Sequence, residues 1–142
     1  MSYLLDTNII CEVVKPKPTP CVLDWLNTIP AENVFLSVLT LGEIRKGIEK
    51  INDLKRREFI RHWLENDLPL YFSDRILSID IKVADQWGRL QSNLKENVLP
   101  TIDGLLAATA LTHQLRLVTR NQKDFTMCPL EVINPWESVL KD

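Results

Sequence analysis

Short apolar runs alternate with longer amphipathic segments along the whole sequence. The runs predict strands at residues 3–5, 34–37, 76–79, 115–119 and 130–133. The segments between them place apolar residues three and four positions apart, as in Leu41, Ile44 and Ile48, which is the spacing of one buried helix face. Because strands that alternate with helices are usually parallel, the pattern predicts an α/β three-layer sandwich. Its mostly parallel, roughly five-stranded sheet would be flanked by helices.

Local signals place several helix boundaries. Thr7 or Asn8 is a suitable cap for a short helix after the first strand, and the prolines at positions 16–20 end it. Thr19 and Pro20 then suit the cap and first position of a second helix. The helix that follows residues 52–53 is predicted to turn Phe59, Ile60, Trp63 and Leu64 toward the core. No repeat or linker divides the sequence, so we expect residues 1–142 to form one domain.

Composition describes an ordinary globular protein, with 45% hydrophobic and 25% charged residues in a chain of 142. No apolar run is long enough to span a bilayer, and the start lacks the basic residues of a signal peptide. Cys11, Cys21 and Cys128 are odd in number and widely spaced. This spacing disfavours disulfides or a zinc site and indicates reduced thiols, hence a cytoplasmic protein without a membrane partner.

Charge is distributed unevenly along the sequence. The net charge is −2, but residues 45–61 hold seven basic residues against three acidic ones, so this segment carries +4 and the remainder −6. Such a segment attracts polyanions when it lies beside a cation-filled acidic site. Taken alone, it is better explained as a solvated helix face with acid–base pairs.

Polar residues follow three of the predicted strands or begin a helix nearby. Asp6 follows the first strand directly, Glu43 lies on the helix after the second, and Asn121 and Asp124 follow the fourth. Asp103 lies in the first turn of the helix that starts at residues 100–101. Since the carboxyl ends of parallel strands meet at one edge of a sheet, we expect these side chains to converge there.

Each of these positions also has an ordinary interpretation. Asp6 suits a helix cap, Glu43 an exposed pair with Lys46, Asp103 a favourable interaction with the helix dipole, and the last two a polar turn. The joint pattern favours a cation site, because crowded carboxylates repel one another unless a cation is present. Oxygen donors without paired His or Cys suit Mg²⁺ or Mn²⁺, which can activate water against a phosphodiester.

With these residues in place, the sequence resembles the PIN-domain family, and within it the VapC/FitB-type ribonuclease toxins of toxin–antitoxin pairs. The matching stretches are Leu4-Leu5-Asp6-Thr7-Asn8, Leu41-Gly42-Glu43-Ile44-Arg45-Lys46-Gly47, Asp103-Gly104-Leu105-Leu106-Ala107-Ala108-Thr109-Ala110, Val118-Thr119-Arg120-Asn121 with Asp124-Phe125, and Asn134-Pro135-Trp136. The stretches occur in the family's order and cover essentially the whole chain.

The resemblance implies a Mg²⁺-dependent (or Mn²⁺-dependent) endoribonuclease that acts on RNA, forms a homodimer and is inhibited by a cognate antitoxin. Asp6, Glu43 and Asp103 match acidic metal-site positions, with Asp124 as a further catalytic candidate. At Asn121 many relatives have another Asp; here Asp124 either substitutes for that residue or only shapes the turn, so the resemblance leaves the fourth ligand open. Positions matching supporting polar residues are Thr7, Asn8 and Thr119. Candidate RNA contacts are Arg45, Lys46 and Arg120.

Two other functions remain compatible with these residues. Asn121 in place of an acid fits a non-catalytic, RNA-binding or regulatory PIN module with an incomplete metal site. A metal-dependent phosphatase for small substrates is the second, although the basic segment disfavours it. For protein partners, Trp25 and Trp63 are the side chains that we expect to be available at the surface.

Overall fold

The computed structural model describes residues 1–138. Its strands are β1 (Tyr3–Leu5), β2 (Val34–Ser37), β3 (Ile76–Leu77), β4 (Arg116–Val118) and β5 (Val132–Ile133). Its α-helices are α1 (Thr7–Glu12), α2 (Pro20–Asn27), α3 (Val38–Ile48), α4 (Leu54–His62), α5 (Leu68–Phe72), α6 (Ile81–Leu94), α7 (Thr101–His113) and α8 (Pro135–Ser138). A π-helical turn, Trp63–Asp67, joins α4 to α5, and 3₁₀ turns occur at Ala31–Asn33, Lys95–Asn97 and Gln122–Phe125.

The strands form one parallel sheet in the order β3-β2-β1-β4-β5. Strand β1 lies at the centre, with Leu4 opposite Phe35 on one side and Leu117 on the other. The chain builds the sheet outward from β1 in both directions, so the carboxyl end of β1 lies where the strand order reverses. Open α/β sheets bind ligands at this point. The parallel α/β sandwich predicted from the sequence is therefore confirmed.

Two apolar clusters cover the two faces of the sheet. Leu4 and Leu5 are neighbours in β1 and point to opposite faces, as alternation along a strand requires. Leu5 joins one cluster, with residues of α1 to α5, whereas Leu4 packs with α6 and α7 in the other. Both side chains are at most 1% exposed. The tight packing around β1 fixes the position of the residue that follows it, Asp6.

Three local predictions from the sequence are wrong. Asp6 itself caps α1, where Thr7 or Asn8 was expected, and its carboxylate accepts a hydrogen bond from the Thr7 amide. Phe59 is 55% exposed, with the Arg56 guanidinium carbon 5.5 Å from its ring centroid, whereas Ile60, Trp63 and Leu64, which were predicted to face inward with it, are buried. Because Trp63 is only 8% exposed, the separate expectation that it is available at the surface for a protein partner is wrong.

The structure confirms the predicted start of α2 and the predicted buried face of α3. Thr19 and Pro20 lie at the cap and first position of α2, and Ile44 and Ile48 form the buried face of α3. The described residues contain no disulfide; Cys11, Cys21 and Cys128 are free thiols. Within residues 1–138, none of the helices is both long and apolar enough to cross a membrane. Trp25 is half-buried, with its ring edge-on to Tyr3.

Candidate active site

Asp6 occupies the centre of the carboxyl edge of the sheet. Its amide donates to the Val118 carbonyl (2.9 Å), so the pairing of β1 with β4 continues up to this residue. Its Oδ1 accepts from the Thr7 amide (2.7 Å) at the start of α1. The helix-cap interpretation of Asp6 is therefore correct. A second role for Asp6 is compatible with this cap, because only Oδ1 accepts from the helix backbone. The other carboxylate oxygen, Oδ2, points toward the residue that follows β4.

The second oxygen of Asp6 is held by polar side chains on both sides. Oδ2 accepts a hydrogen bond from the Thr119 hydroxyl (2.8 Å) and a longer one from the Asn8 amide (3.4 Å). Thr119 is fully buried, and its Oγ1 also accepts from the Asn121 amide (3.0 Å). Thr7, Asn8 and Thr119, all predicted as supporting residues, thus fix the orientation of this carboxylate.

Burial raises the pKa of Asp6 above its ordinary value despite these hydrogen bonds. The bonds from Thr119, Thr7 and Asn8 favour the charged form, while the negative charge of Glu43 opposes it. The same negative charges act on the nearby Cys11 thiol. Burial raises its pKa to about 11, and the charges of Glu43 and Asp6 contribute to this rise. A cation beside Asp6 would relieve this electrostatic penalty.

Glu43 is linked to Asp6 through Thr7. Helix α3 begins directly after β2, with Ser37 as its cap, and therefore carries Glu43 toward the same edge of the sheet. The Thr7 hydroxyl donates to Glu43 Oε1 (2.5 Å), and it lies 3.3 Å from the hydroxyl of Thr40, which is buried. The expected alternative, a pair between Glu43 and Lys46, is not the contact that the structure forms.

Asp103 and Asp124 complete the acidic group. Asp103 is in the first turn of α7, and Asp124 is in the 3₁₀ turn after β4, which buried Phe125 anchors. The pKa of Asp103 is raised first by burial and then by the negative charges of Asp6, Asp124 and Glu43, in that order. Three of the four residues predicted as catalytic, Asp6, Glu43 and Asp124, therefore lie within electrostatic reach of the fourth, Asp103. We call Asp6, Glu43, Asp103 and Asp124 the carboxylate cluster.

The small side chains of α7 contribute to this arrangement in two ways. Ala107 and Ala110 are fully buried and pack with Leu4 and Leu117 of the sheet, which supports the expected close approach of α7. Gly104 faces α6 instead, because a Cβ at this position would lie 2.5 Å from the Gln91 amide nitrogen. A larger residue at 104 would require Gln91, which is hydrogen-bonded to the backbone of Leu99, and Trp87 to move.

The donor set of the cluster suits a hard divalent cation, although its side chains are not arranged as a finished site. Among residues 1–138, no group of three or more Asp, Glu, His or Cys side chains is positioned to hold an ion. Asp6 and Glu43 are fixed by Thr7 and Thr119, whereas the carboxylates of Asp103 and Asp124 form no hydrogen bond or ion pair in the described chain. The latter two can rotate toward an ion. Four carboxylates without His or Cys fit Mg²⁺ or Mn²⁺.

Three of the seven basic residues of segment 45–61 form ion pairs. Arg45 bonds to Glu65 (2.7 Å), Arg57 to Glu49, and Arg61 to both Glu58 and Glu65. The solvated-face interpretation fits these three arginines. Lys46 and Lys50 instead line a cavity of about 510 Å³ together with Glu43 and Ile102. Arg120 lies over the ring of Trp136, with its guanidinium carbon 4.9 Å from the ring centroid.

Sequence reasoning did not assign roles to Thr40, Asn134 or Trp136. Thr40 lies one helical turn before Glu43, a spacing that places both on one face of α3. Asn134 donates to the Arg120 carbonyl (3.3 Å) and accepts from the Trp136 amide (2.9 Å). The stretch Asn134-Pro135-Trp136 was visible as a motif, but no periodicity in the sequence places it beside the loop after β4.

Comparison with known proteins decides the family. The family profile described as PIN domain matches residues 3–126. The chain belongs to the PIN-domain family. This PIN domain is 35% identical to Toxin FitB of Neisseria gonorrhoeae over 135 residues, which cover 94% of this chain and 97% of the relative. It is 33% identical to VapC ribonuclease Y4jK of Sinorhizobium fredii over 136 residues, with coverage of 94% and 97%.

Solved structures agree with the sequence comparison. The PIN domain matches a chain of the crystal structure of FitAcB from Neisseria gonorrhoeae with a TM-score of 0.88 at 34% identity, covering 94% of this chain and 98% of that one. A chain of VapBC2 from Rickettsia felis, bound to a DNA fragment from the promoter, matches with a TM-score of 0.74 at 26% identity, with coverage of 94% and 98%. Both comparisons support the sheet order and helix placement described above.

Proposed function

We propose that this PIN domain is a divalent-cation-dependent endoribonuclease that acts in the cytoplasm as the toxin of a toxin–antitoxin pair. The observation that carries the proposal is the carboxylate cluster, in which Asp6, Asp124 and Glu43 all raise the pKa of Asp103. The relatives named as FitB toxin and VapC ribonuclease support the activity and the biological role. We further propose that residues 1–142 form this single domain. Cleavage of RNA by the purified protein, with and without cation, tests the function.

We assign Asp6, Glu43 and Asp103 as the residues that would hold Mg²⁺ or Mn²⁺. When bound, such an ion supplies an activated water and neutralises charge on the phosphodiester. Thr119 and Thr7 orient Asp6, and Thr7 also orients Glu43, so the protein fixes these two carboxylates before any ion arrives. Arg45, Lys46 and Arg120 are proposed to attract the RNA, with Lys46 and Arg120 best placed for contact because Arg45 is paired with Glu65.

A non-catalytic RNA-binding module is the second candidate, and the neutral Asn121 is the feature that favours it. The Asn121 side chain forms no hydrogen bond with the described residues. The backbone of Asn121 shapes the turn, because its N–H donates to the Thr119 hydroxyl and its carbonyl accepts from the Asp124 N–H. If the neutral Asn121 left the site with too little negative charge to bind a cation, the protein would still bind RNA but would not cleave it. The presence of Asp124 three residues later, close enough to affect the pKa of Asp103, favours the enzyme instead.

Three variants separate the roles of Asn121 and Asp124. We predict that Asn121→Asp lowers the Mg²⁺ concentration required for half-maximal RNA cleavage, because it adds a negatively charged oxygen donor beside the proposed Mg²⁺ site. Asp124→Asn should reduce cleavage less than Asp103→Asn does, since the turn is expected to act mainly through water. Titrating Mg²⁺ in a cleavage assay of all three variants measures the order. If folded Asp124→Asn is as inactive as Asp103→Asn, then Asp124 binds the ion directly and the proposed order is wrong.

We propose a homodimer and an antitoxin as protein partners. The solved relatives named above are toxin–antitoxin complexes, FitAcB and VapBC2. In this chain, a mostly apolar cavity of about 420 Å³ lies between α1, α2 and α5, lined by residues such as Leu23, Leu26 and Tyr71. Trp63 contributes to its wall from within the core. An amphipathic antitoxin segment suits this cavity, with a basic side chain reaching the carboxylate cluster. Light scattering that detects only monomers at high concentration would contradict the dimer.

A pair of adjacent residues tests the antitoxin cavity. Tyr71 lines it, whereas Leu70 is 81% exposed and lies outside it on the same helix. We predict that Tyr71→Glu weakens binding of the antitoxin encoded beside this gene by about tenfold or more, because it buries a charge against an apolar segment. Leu70→Glu should leave binding unchanged. Calorimetry with both variants gives the comparison, and equal affinities would place the antitoxin elsewhere.

A further inference from the structure

A cavity of about 910 Å³ lies directly beside the carboxylate cluster, at the carboxyl ends of β4 and β5. Asn121 and Asp124 form the wall that it shares with the cluster, and Leu130 and Val132 provide an apolar side. An RNA strand that has its scissile phosphate at Asp6 and runs toward β5 would pass this wall. The cavity is therefore positioned to receive a nucleotide next to the cleaved bond.

Arg120 and Trp136 form the most specific feature of this cavity. The Trp136 ring packs against the apolar cluster on the α2 side, and Arg120, which is exposed, lies over it. Buried Asn134 fixes both residues, because it donates to the Arg120 carbonyl and accepts from the Trp136 amide. The aromatic ring thus holds a guanidinium at the cavity wall, and proteins use planar guanidinium groups to stack unpaired bases.

The charges at the cavity fit a nucleotide better than an acidic peptide. Arg120 and Lys123 are cationic, whereas Asp124 and Glu137 are acidic, so the wall as a whole is close to neutral. A neutral base fits between these groups, and its phosphate needs only one cation, for which Lys123 is available. A carboxylate-rich peptide would meet two acids and gain nothing from the stacked Arg120.

We propose that this cavity is a nucleotide subsite, in which an unpaired base stacks on Arg120, backed by Trp136, while Lys123 contacts its phosphate. The inference rests on the proposed ribonuclease function and extends it to the side chains that would bind the nucleotide next to the cleaved bond, whose base must be unpaired to stack there.

Two RNA probes of equal length and phosphate charge test the subsite. One is an adenosine hexanucleotide, and the other is a ribose-phosphate hexamer without bases. Both are measured by fluorescence anisotropy against protein carrying Asp6→Asn, so that RNA stays intact with Mg²⁺ present. We expect the adenosine probe to bind about tenfold more tightly. Adding Arg120→Lys keeps the charge but removes the planar group, and should erase most of this preference.

Two further variants provide controls. Lys123→Ala should weaken both probes by a similar factor, since it removes a phosphate contact and no stacking. Arg89→Lys, on the exposed face of α6, should preserve the preference. The subsite is wrong if the preference for the adenosine probe survives Arg120→Lys, or if the Asp6→Asn protein binds both probes equally. Either result would still be compatible with RNA as the substrate. If neither probe binds, the proposed RNA substrate itself fails.

Discussion

Replacing Asp6 by Asn is expected to reduce RNA cleavage by at least about a hundredfold while the protein stays folded. The change removes one negative charge from the centre of the carboxylate cluster and so should weaken the binding of the divalent cation on which the proposed reaction depends. Folding should tolerate it, because the amide oxygen of Asn still accepts the hydrogen bond from the Thr7 amide that caps α1. Initial rates of cleavage of a single-stranded RNA in Mg²⁺ give the effect.

Asp85→Asn is the matched control for Asp6→Asn. Asp85 is an exposed aspartate of α6, paired with Arg89 at 2.9 Å and outside the carboxylate cluster. Its replacement removes the same charge from the protein and should leave cleavage within about twofold of the wild type, because an exposed pair of this kind contributes little. Equal losses in the two variants would mean that net charge, and not the position of Asp6, controls the reaction.

Asp103→Asn should have opposite effects on activity and on the stability of the metal-free protein. Burial and the charges of Asp6, Asp124 and Glu43 raise the pKa of Asp103 in the folded state. As pH rises, the Asp103 carboxyl therefore loses its proton in the unfolded state before it does so in the folded state. The free energy of unfolding falls between the pKa of the unfolded state and that of the folded state, and it stays lower at neutral pH. Removing the charge should raise the melting temperature at pH 7.5 by about 2–5 °C.

The dependence on pH and on cation distinguishes this explanation from a general stabilisation. The gain from Asp103→Asn should vanish below about pH 4, where the carboxyl is protonated in both states. Mg²⁺ should raise the melting temperature of the wild type, because a ligand that binds only the folded state stabilises it, and should have much less effect on the variant. Differential scanning calorimetry at pH 4 and 7.5 measures both. An equal response of the two proteins to Mg²⁺ would exclude Asp103 as a ligand.

The part of the site that sequence predicts best depends on strand ends. Asp6, Glu43 and Asp124 each follow a strand within a few residues, and the parallel sheet brings those ends together whatever the details of the helices. Asp103 could be predicted as a further member of the site because it lies in the first turn of a helix whose small side chains allow it to pack close to the sheet. The sequence thus identified the members of the candidate site without any knowledge of distances between them.

Other features depended on contacts that no local pattern encodes. Apolar spacing predicted the burial of Ile60 and Trp63, but it did not separate Ile60 from the adjacent Phe59, which the rotation of α4 leaves exposed. The π-helical turn Trp63–Asp67 also has no signal in the sequence. Arg120 and Trp136 are sixteen positions apart, and their pairing requires β5 to lie beside β4 and Asn134 to bridge the two loops.

The central claim, that the carboxylate cluster works through a divalent cation, is tested most directly by removing and restoring the ion. The wild-type protein is incubated with a single-stranded RNA in excess chelator, and Mg²⁺ or Mn²⁺ is then added beyond the chelator's capacity. We predict no cleavage before the addition and cleavage at the wild-type rate after it, with Asp6→Asn inactive throughout. Undiminished cleavage of RNA by the wild type in excess chelator would contradict the claim.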